Sequence, residues 1–169
     1  ATRIDYFGAA LGRTLAKEGF AADLTAANNV LAHVPDILDF VKGFTEILKP
    51  EGVATFEFPH LLNLIRLVQF DTIYHEHYSY LSLLAVEAIF KRAGLRVFDV
   101  EELSTHGGSL RVFACRSDAR HVETPALARV RGVTVAWNAA TRFDSGSAID
   151  IRVGRRVEVK GRLSADGLL

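Results

Sequence analysis

The chain has 169 residues, 49% hydrophobic and 24% charged, an ordinary globular composition that excludes a disordered or collagen-like polypeptide. Twenty Lys and Arg balance twenty Asp and Glu, so no net field draws the protein to nucleic acid or to an anionic membrane, and neither is expected as a partner. A single cysteine, Cys115, excludes an internal disulfide and a four-cysteine zinc cage. No apolar run reaches the roughly 20 residues of a membrane helix, and no leader peptide opens the chain, so a cytoplasmic location is expected.

The first readable element is an apolar strand over residues 22–31, followed by His33, Val34, Pro35 and Asp36, where Pro35 disfavours helix at Val34 and Asp36 can cap a helix starting at Ile37. Ile37, Phe40, Val41, Phe44, Ile47 and Leu48 recur at helical spacing, and Lys49–Gly52 supplies a stop. A strand over Val53–Phe58 ends at Pro59, and a short helix over Leu61–Val68 leads into the polar-aromatic stretch Asp71–Tyr80. A helix over Leu83–Arg92 stops at Gly94, a strand covers Leu95–Val100, and Gly107-Gly108 turns into a last strand over Ser109–Cys115.

Strands alternating with helices predict an α/β fold with a mostly parallel sheet, and the tight glycine turn predicts an antiparallel hairpin at one edge. After about residue 118 helical periodicity stops. Val133–Val135, Ala148–Val153 and Arg156–Lys160 alternate between glycine turns, as in a small β unit, and Asp166-Gly167 reads as a hairpin turn near the end.

Five histidines, His33, His60, His75, His77 and His106, fall in connections rather than helix interiors. Ligands of open α/β sheets bind outside the carboxyl ends of the strands, and His33, His60 and His106 each follow such an end. Tyr74-His75-Glu76-His77-Tyr78 combines a candidate general base, a carboxylate to orient or charge-stabilise it, and phenols for a developing oxyanion. The bland alternative is a polar loop with stacked aromatics. Its His-x-His spacing differs from the His-Glu-x-x-His that puts two histidines on one helical face, so no metal site is expected. His106–Ser109 precedes a strand and lacks a following lysine, which makes it turn chemistry rather than a phosphate loop. Cys115, in a strand-like apolar setting with no helix start beside it, is expected to be a buried small residue.

Four phrases in order, ANNVLAHVPD (27–36), FEFPH (56–60), QFDTIYHEHYSY (69–80) and THGGSLRV (105–112), resemble the sugar C-methyltransferases. These are class I S-adenosylmethionine-dependent enzymes that methylate ring carbons of nucleotide-linked keto-deoxysugars. The resemblance covers roughly residues 1–118 and implies a partial Rossmann-like sheet of parallel strands ending in an antiparallel hairpin. It implies His77 as the base, with Tyr74, Glu76 and His33 completing the catalytic group. Asn29, His60, His75 and His106 then face a nucleotide-sugar, and Asn28 faces S-adenosylmethionine.

The family's cysteine-rich region and its glycine-rich cofactor loop are not found in these residues, and methionine is absent altogether. The expectation is therefore a truncated domain over 1–118, with little or no activity alone and an open sheet edge prone to self-association. Thr141–Phe143 and the run VGRRVEVKGRLSADG (153–167) resemble a bacterial family of small β-barrel domains of unknown function, so an incomplete second domain is expected over 126–169. The competing reading is a non-catalytic module that binds a nucleotide-sugar or a partner.

Overall fold

A computed structural model describes residues 2–131, and the first compact unit runs from Ala1 to Arg131. The β segments expected at Val133–Val135, Ala148–Val153 and Arg156–Lys160, and the turn at Asp166-Gly167, lie outside the described residues.

Helix α1 (Ala9–Leu15), extended by a wider turn over Ala16–Phe20, precedes strand β1 (Ala22–Asn28). Helix α1 was not legible in the sequence, because its hold on the fold is a backbone contact. A Cβ on Gly12 would fall 2.3 Å from the Gly43 carbonyl oxygen, so α1 docks on the next helix where neither partner carries a side chain. Strand β1 ends earlier than expected because Asn29 adopts φ +54, a left-handed conformation that asparagine tolerates and Val30 would not. A single 3-10 turn, Leu31–His33, comes next.

Helix α2 (Ile37–Ile47) is capped as predicted, the Asp36 carboxylate accepting from the Asp39 amide at 2.9 Å. Strand β2 (Leu48–Pro59) absorbs the expected Lys49–Gly52 stop. Pairing jumps from Ala22↔Leu48 to Leu24↔Val53, so the turn residues form an irregularity inside the strand rather than its boundary. Helix α3 (Leu61–Arg66) leads to the loop, and helix α4 (Leu83–Ala93) is capped by Ser82 and stopped by Gly94 at φ +86. Strands β3 (Leu95–Leu103) and β4 (Ser109–Arg116) form the hairpin.

The four strands lie in the order β1-β2-β4-β3. β1 and β2 pair in parallel, while β4 enters between β2 and β3 and runs antiparallel to both. The hairpin thus occupies one edge as expected, although only one of the pairings is parallel. The core is continuous along a file of rings, Phe40–Phe44–Phe56–Phe90, with centroids 4.7–5.2 Å apart. Cys115 is fully buried within β4, and burial pushes its thiol pKa up, as befits a packing residue.

The segment after β4 folds back. Thr124 donates its amide to the Phe98 carbonyl at 2.9 Å, and helix α5 (Pro125–Arg131) buries Leu127 completely, which carries the unit past residue 118 to Arg131.

Candidate active site

The site forms where two connections at the carboxyl end of the parallel pair meet. The Ala32 carbonyl accepts the amides of Tyr78 at 2.9 Å and Ser79 at 3.2 Å, and these bonds pin the aromatic loop to the turn after β1. Ala32 and Leu31 are buried, so the anchor is rigid although the loop above it is exposed.

This anchoring brings three rings together at tilted angles. His33 and His77 lie 4.7 Å apart between centroids, and Tyr74 and His77 lie 4.3 Å apart. His77 Nδ1 is 2.7 Å from the Thr72 carbonyl oxygen, which can only accept, so Nδ1 carries a hydrogen, and in the neutral ring the lone pair lies on Nε2. The Tyr74 hydroxyl, 3.2 Å from Nε2, then donates to it. His33 shows the same pattern, donating from Nδ1 to the Glu76 carbonyl at 3.0 Å. In both rings Nε2 is the nitrogen left without a backbone partner among the described residues.

The expectation that the Glu76 carboxylate orients the base is corrected by this geometry. Backbone carbonyls of Thr72 and Glu76 do the orienting, and among the described residues the Glu76 carboxylate accepts no hydrogen bond. It lines an open depression of about 310 Å³ with His33, His75 and Tyr78. A second cavity of about 10 Å³, roughly one water, lies behind His77 against Thr72, Ser79 and Tyr80.

Asn28 is exposed at the end of β1, and Asn29 beside it is held by its amide to the Glu57 carbonyl at 2.8 Å. The Asn29 Oδ1 is buried and has no partner among the described residues. His60 and His106 do not join this group of rings. His60 is only 3% exposed, and burial lowers its pKa below the ordinary imidazole value, while His106 is exposed in the hairpin turn at φ +52. The two segments touch through the backbone, where the His60 amide donates to the Gly108 carbonyl at 3.0 Å.

Sequence reasoning did not single out Glu57 and Arg111. They face each other across β2 and β4 with a 2.8 Å ion pair, and Glu57 is buried. Both sit inside the quoted phrases, but Glu57 stands between Phe56 and Phe58, all three buried, so alternation gives no sign of it. Gln69, donating to the Gly107 carbonyl at 2.8 Å, ties the aromatic loop to the hairpin in the same way.

A mixed α/β sheet with its imidazoles gathered on loops beyond the parallel strand ends defines a ligand-binding or catalytic α/β domain. Residues 7–100 match the family model described as a methyltransferase domain, and the chain belongs to that family. Residues 122–169 match a second model, Domain of unknown function (DUF5666), in agreement with the resemblance read from the tail.

The C-methyltransferase NovU of Streptomyces niveus is 40% identical over 124 residues, which cover 73% of this chain and 30% of NovU. The chain thus spans less than a third of the length of that relative. Among solved structures, TnmH is 21% identical with a TM-score of 0.44, covering 57% of this chain and 31% of that one. The 1,6-didemethyltoxoflavin-N1-methyltransferase of Burkholderia thailandensis is 17% identical with a TM-score of 0.45, covering 57% and 44% respectively.

Proposed function

We propose that this chain is the part of an S-adenosylmethionine-dependent sugar C-methyltransferase that carries its acid–base loop, acting on a ring carbon beside the keto group of a nucleotide-linked deoxysugar. The observation that carries the reading is His77, whose Nδ1 is held by the Thr72 carbonyl and whose Nε2 meets the Tyr74 hydroxyl. Membership of the methyltransferase family and the likeness to a C-methyltransferase support it. The sugar rests on the resemblance of the four sequence phrases.

In this reading the keto group acidifies the neighbouring C–H. His77 Nε2 removes that proton, the C–H electron pair passes into an enolate, and the Tyr74 hydroxyl turns from Nε2 to donate to the enolate oxygen. The Glu76 carboxylate at the rim favours the imidazolium that forms, and His33 and Asn29 face the substrate. S-adenosylmethionine, when bound, supplies an electrophilic methyl group for the enolate carbon. Of the described residues, Asn28, exposed at the end of β1, would stand on one wall of its site. Among the described residues no strand, glycine-rich loop and helix succeed one another to form the opposite wall.

The same reading takes the substrate to be a small molecule, expects neither nucleic acid nor membrane as a partner, and assigns the protein to the cytoplasm. Among the described residues no helix is long and apolar enough to cross a membrane.

The test is deuterium uptake from solvent at the carbon beside the keto group of a nucleotide-linked 4-keto sugar, with the full chain and its His77→Gln variant. Exchange that falls by roughly 10²–10⁴ in the variant supports the assignment, and exchange that His77→Gln leaves intact removes it. Methyl transfer by this chain alone should be slight, and measurable turnover would overturn that part. The open depression at His33, His75, Glu76 and Tyr78 also suits a non-catalytic module, whose mark would be saturable sugar binding without exchange.

A further inference from the structure

We infer that Gln69 and Thr72 are positioning residues for His77, tying its imidazole to the turn between β3 and β4 through a file of hydrogen bonds. The inference rests on the reading of His77 as the base. Residues 67–80 contain no helix and no strand, so the ring is only as well placed as the side-chain bonds that hold the backbone around it. Of residues 69–77, Gln69, Thr72 and His77 are half-buried and the rest are exposed.

The file runs from the turn to the base. Gln69 Nε2 donates to the Gly107 carbonyl at 2.8 Å, and the Gln69 carbonyl accepts from the Thr72 hydroxyl at 3.3 Å. The Thr72 carbonyl then accepts from His77 Nδ1 at 2.7 Å, which leaves Nε2 with the Tyr74 hydroxyl at 3.2 Å.

The turn at the start of the file is itself fixed. Ser109, fully buried, donates its hydroxyl to the Thr105 carbonyl at 3.2 Å, and the Gly108 amide donates to the same oxygen at 2.9 Å. Gly107 has φ +74, and a Cβ on it would stand 2.4 Å from Gln69 Nε2, so the glycine leaves open the place that the glutamine amide fills.

The tether of Tyr78 and Ser79 to Ala32 secures the other end of the loop, whereas Thr72 lies nearer in sequence to Gln69. Thr72 offers His77 a backbone atom that no substitution deletes, so control over the ring lies in the side chains that place this carbonyl. Those side chains bond to backbone carbonyls and do not line the open depression at His33, His75, Glu76 and Tyr78. Their loss should therefore lower kcat and leave KM in place.

Long-range proton–nitrogen NMR of the full chain without substrate reads the His77 ring directly, its signals assigned by their loss in His77→Gln. The expected result is an Nδ1 proton protected from solvent exchange in the wild type and in Thr72→Ser, which keeps the hydroxyl. It should exchange about tenfold faster in Gln69→Leu, and faster by a smaller factor in Thr72→Val, whose link is the longest of the file. Deuterium uptake into the keto sugar should fall in kcat by up to roughly 10²-fold in Gln69→Leu, with KM unchanged and Thr72→Ser close to wild type. Backbone amide spectra check that each variant folds. An Nδ1 proton that is unprotected in the wild type, or that Gln69→Leu and Thr72→Val both leave unchanged, overturns the proposal, as does a rise in KM with kcat intact. The ring signal needs no activity, so a failure of the base assignment, seen as uptake that His77→Gln leaves intact, is told apart from a failure of this inference.

Discussion

The two edges of this sheet differ in how they are finished. At β3 the chain returns along the strand, stacks His121 on Phe98 with centroids 4.6 Å apart, and seats Leu127 fully buried beneath α5. Arg131 then joins Glu87 at 2.6 Å and Glu123 at 2.8 Å. At β1 only Ala27 is buried, and the strand ends in the exposed Asn28 and the left-handed Asn29. The loops that gather His33, Tyr74 and His77 also belong to this sparser half. Packing that fixes the fold and side chains that offer chemistry are thus drawn from different parts of one sheet, as expected where binding loops need local freedom.

Leu127→Ala strikes the finished edge hardest. Loss of a fully buried leucine should cost about 2–5 kcal/mol in urea unfolding, and a cost well under 1 kcal/mol would mean that α5 does not secure β3. Arg131→Ala probes the rim of the same edge. Its partners hold its pKa above the usual guanidinium value, but the side chain is 40% exposed, so about 1 kcal/mol or less is expected, shrinking further in high salt.

His60 lies where the two halves meet, and its effect is confined to a pH window. Burial lowers its pKa in the folded state, so as pH falls below the unfolded value of about 6.5 the unfolded chain takes up a proton that the native state refuses. Stability should fall from there down to the depressed folded pKa and then level off. Melting temperature measured against pH in wild type and His60→Asn should show the steeper acid decline in wild type. Parallel curves would show that His60 is not the joint's titrating group.

Much of the fold was legible because its signals are local. The Asp36 cap and the apolar stripe of α2, the Gly94 stop of α4, and the Gly107-Gly108 turn each act over a few residues, and each element appears where those signals put it. The Pro50–Gly52 turn was a true local signal with a different outcome, since pairing with β1 carried the strand across it. Helix α1 escaped because Gly12 against Gly43 is a contact between backbones thirty-one positions apart.

The same division runs through the candidate site. Sequence by itself determined the chemical inventory, with the imidazoles and phenols set in connections between elements, and the family that holds them. Only the tertiary structure decided that His33 and His77 come together while His60 is buried apart, and that carbonyls of Thr72 and Glu76, rather than a carboxylate, orient the two imidazoles. The reason is physical. Side-chain identity is written position by position, whereas a backbone carbonyl is present at every residue and gains a role only when packing brings an imidazole N–H to it.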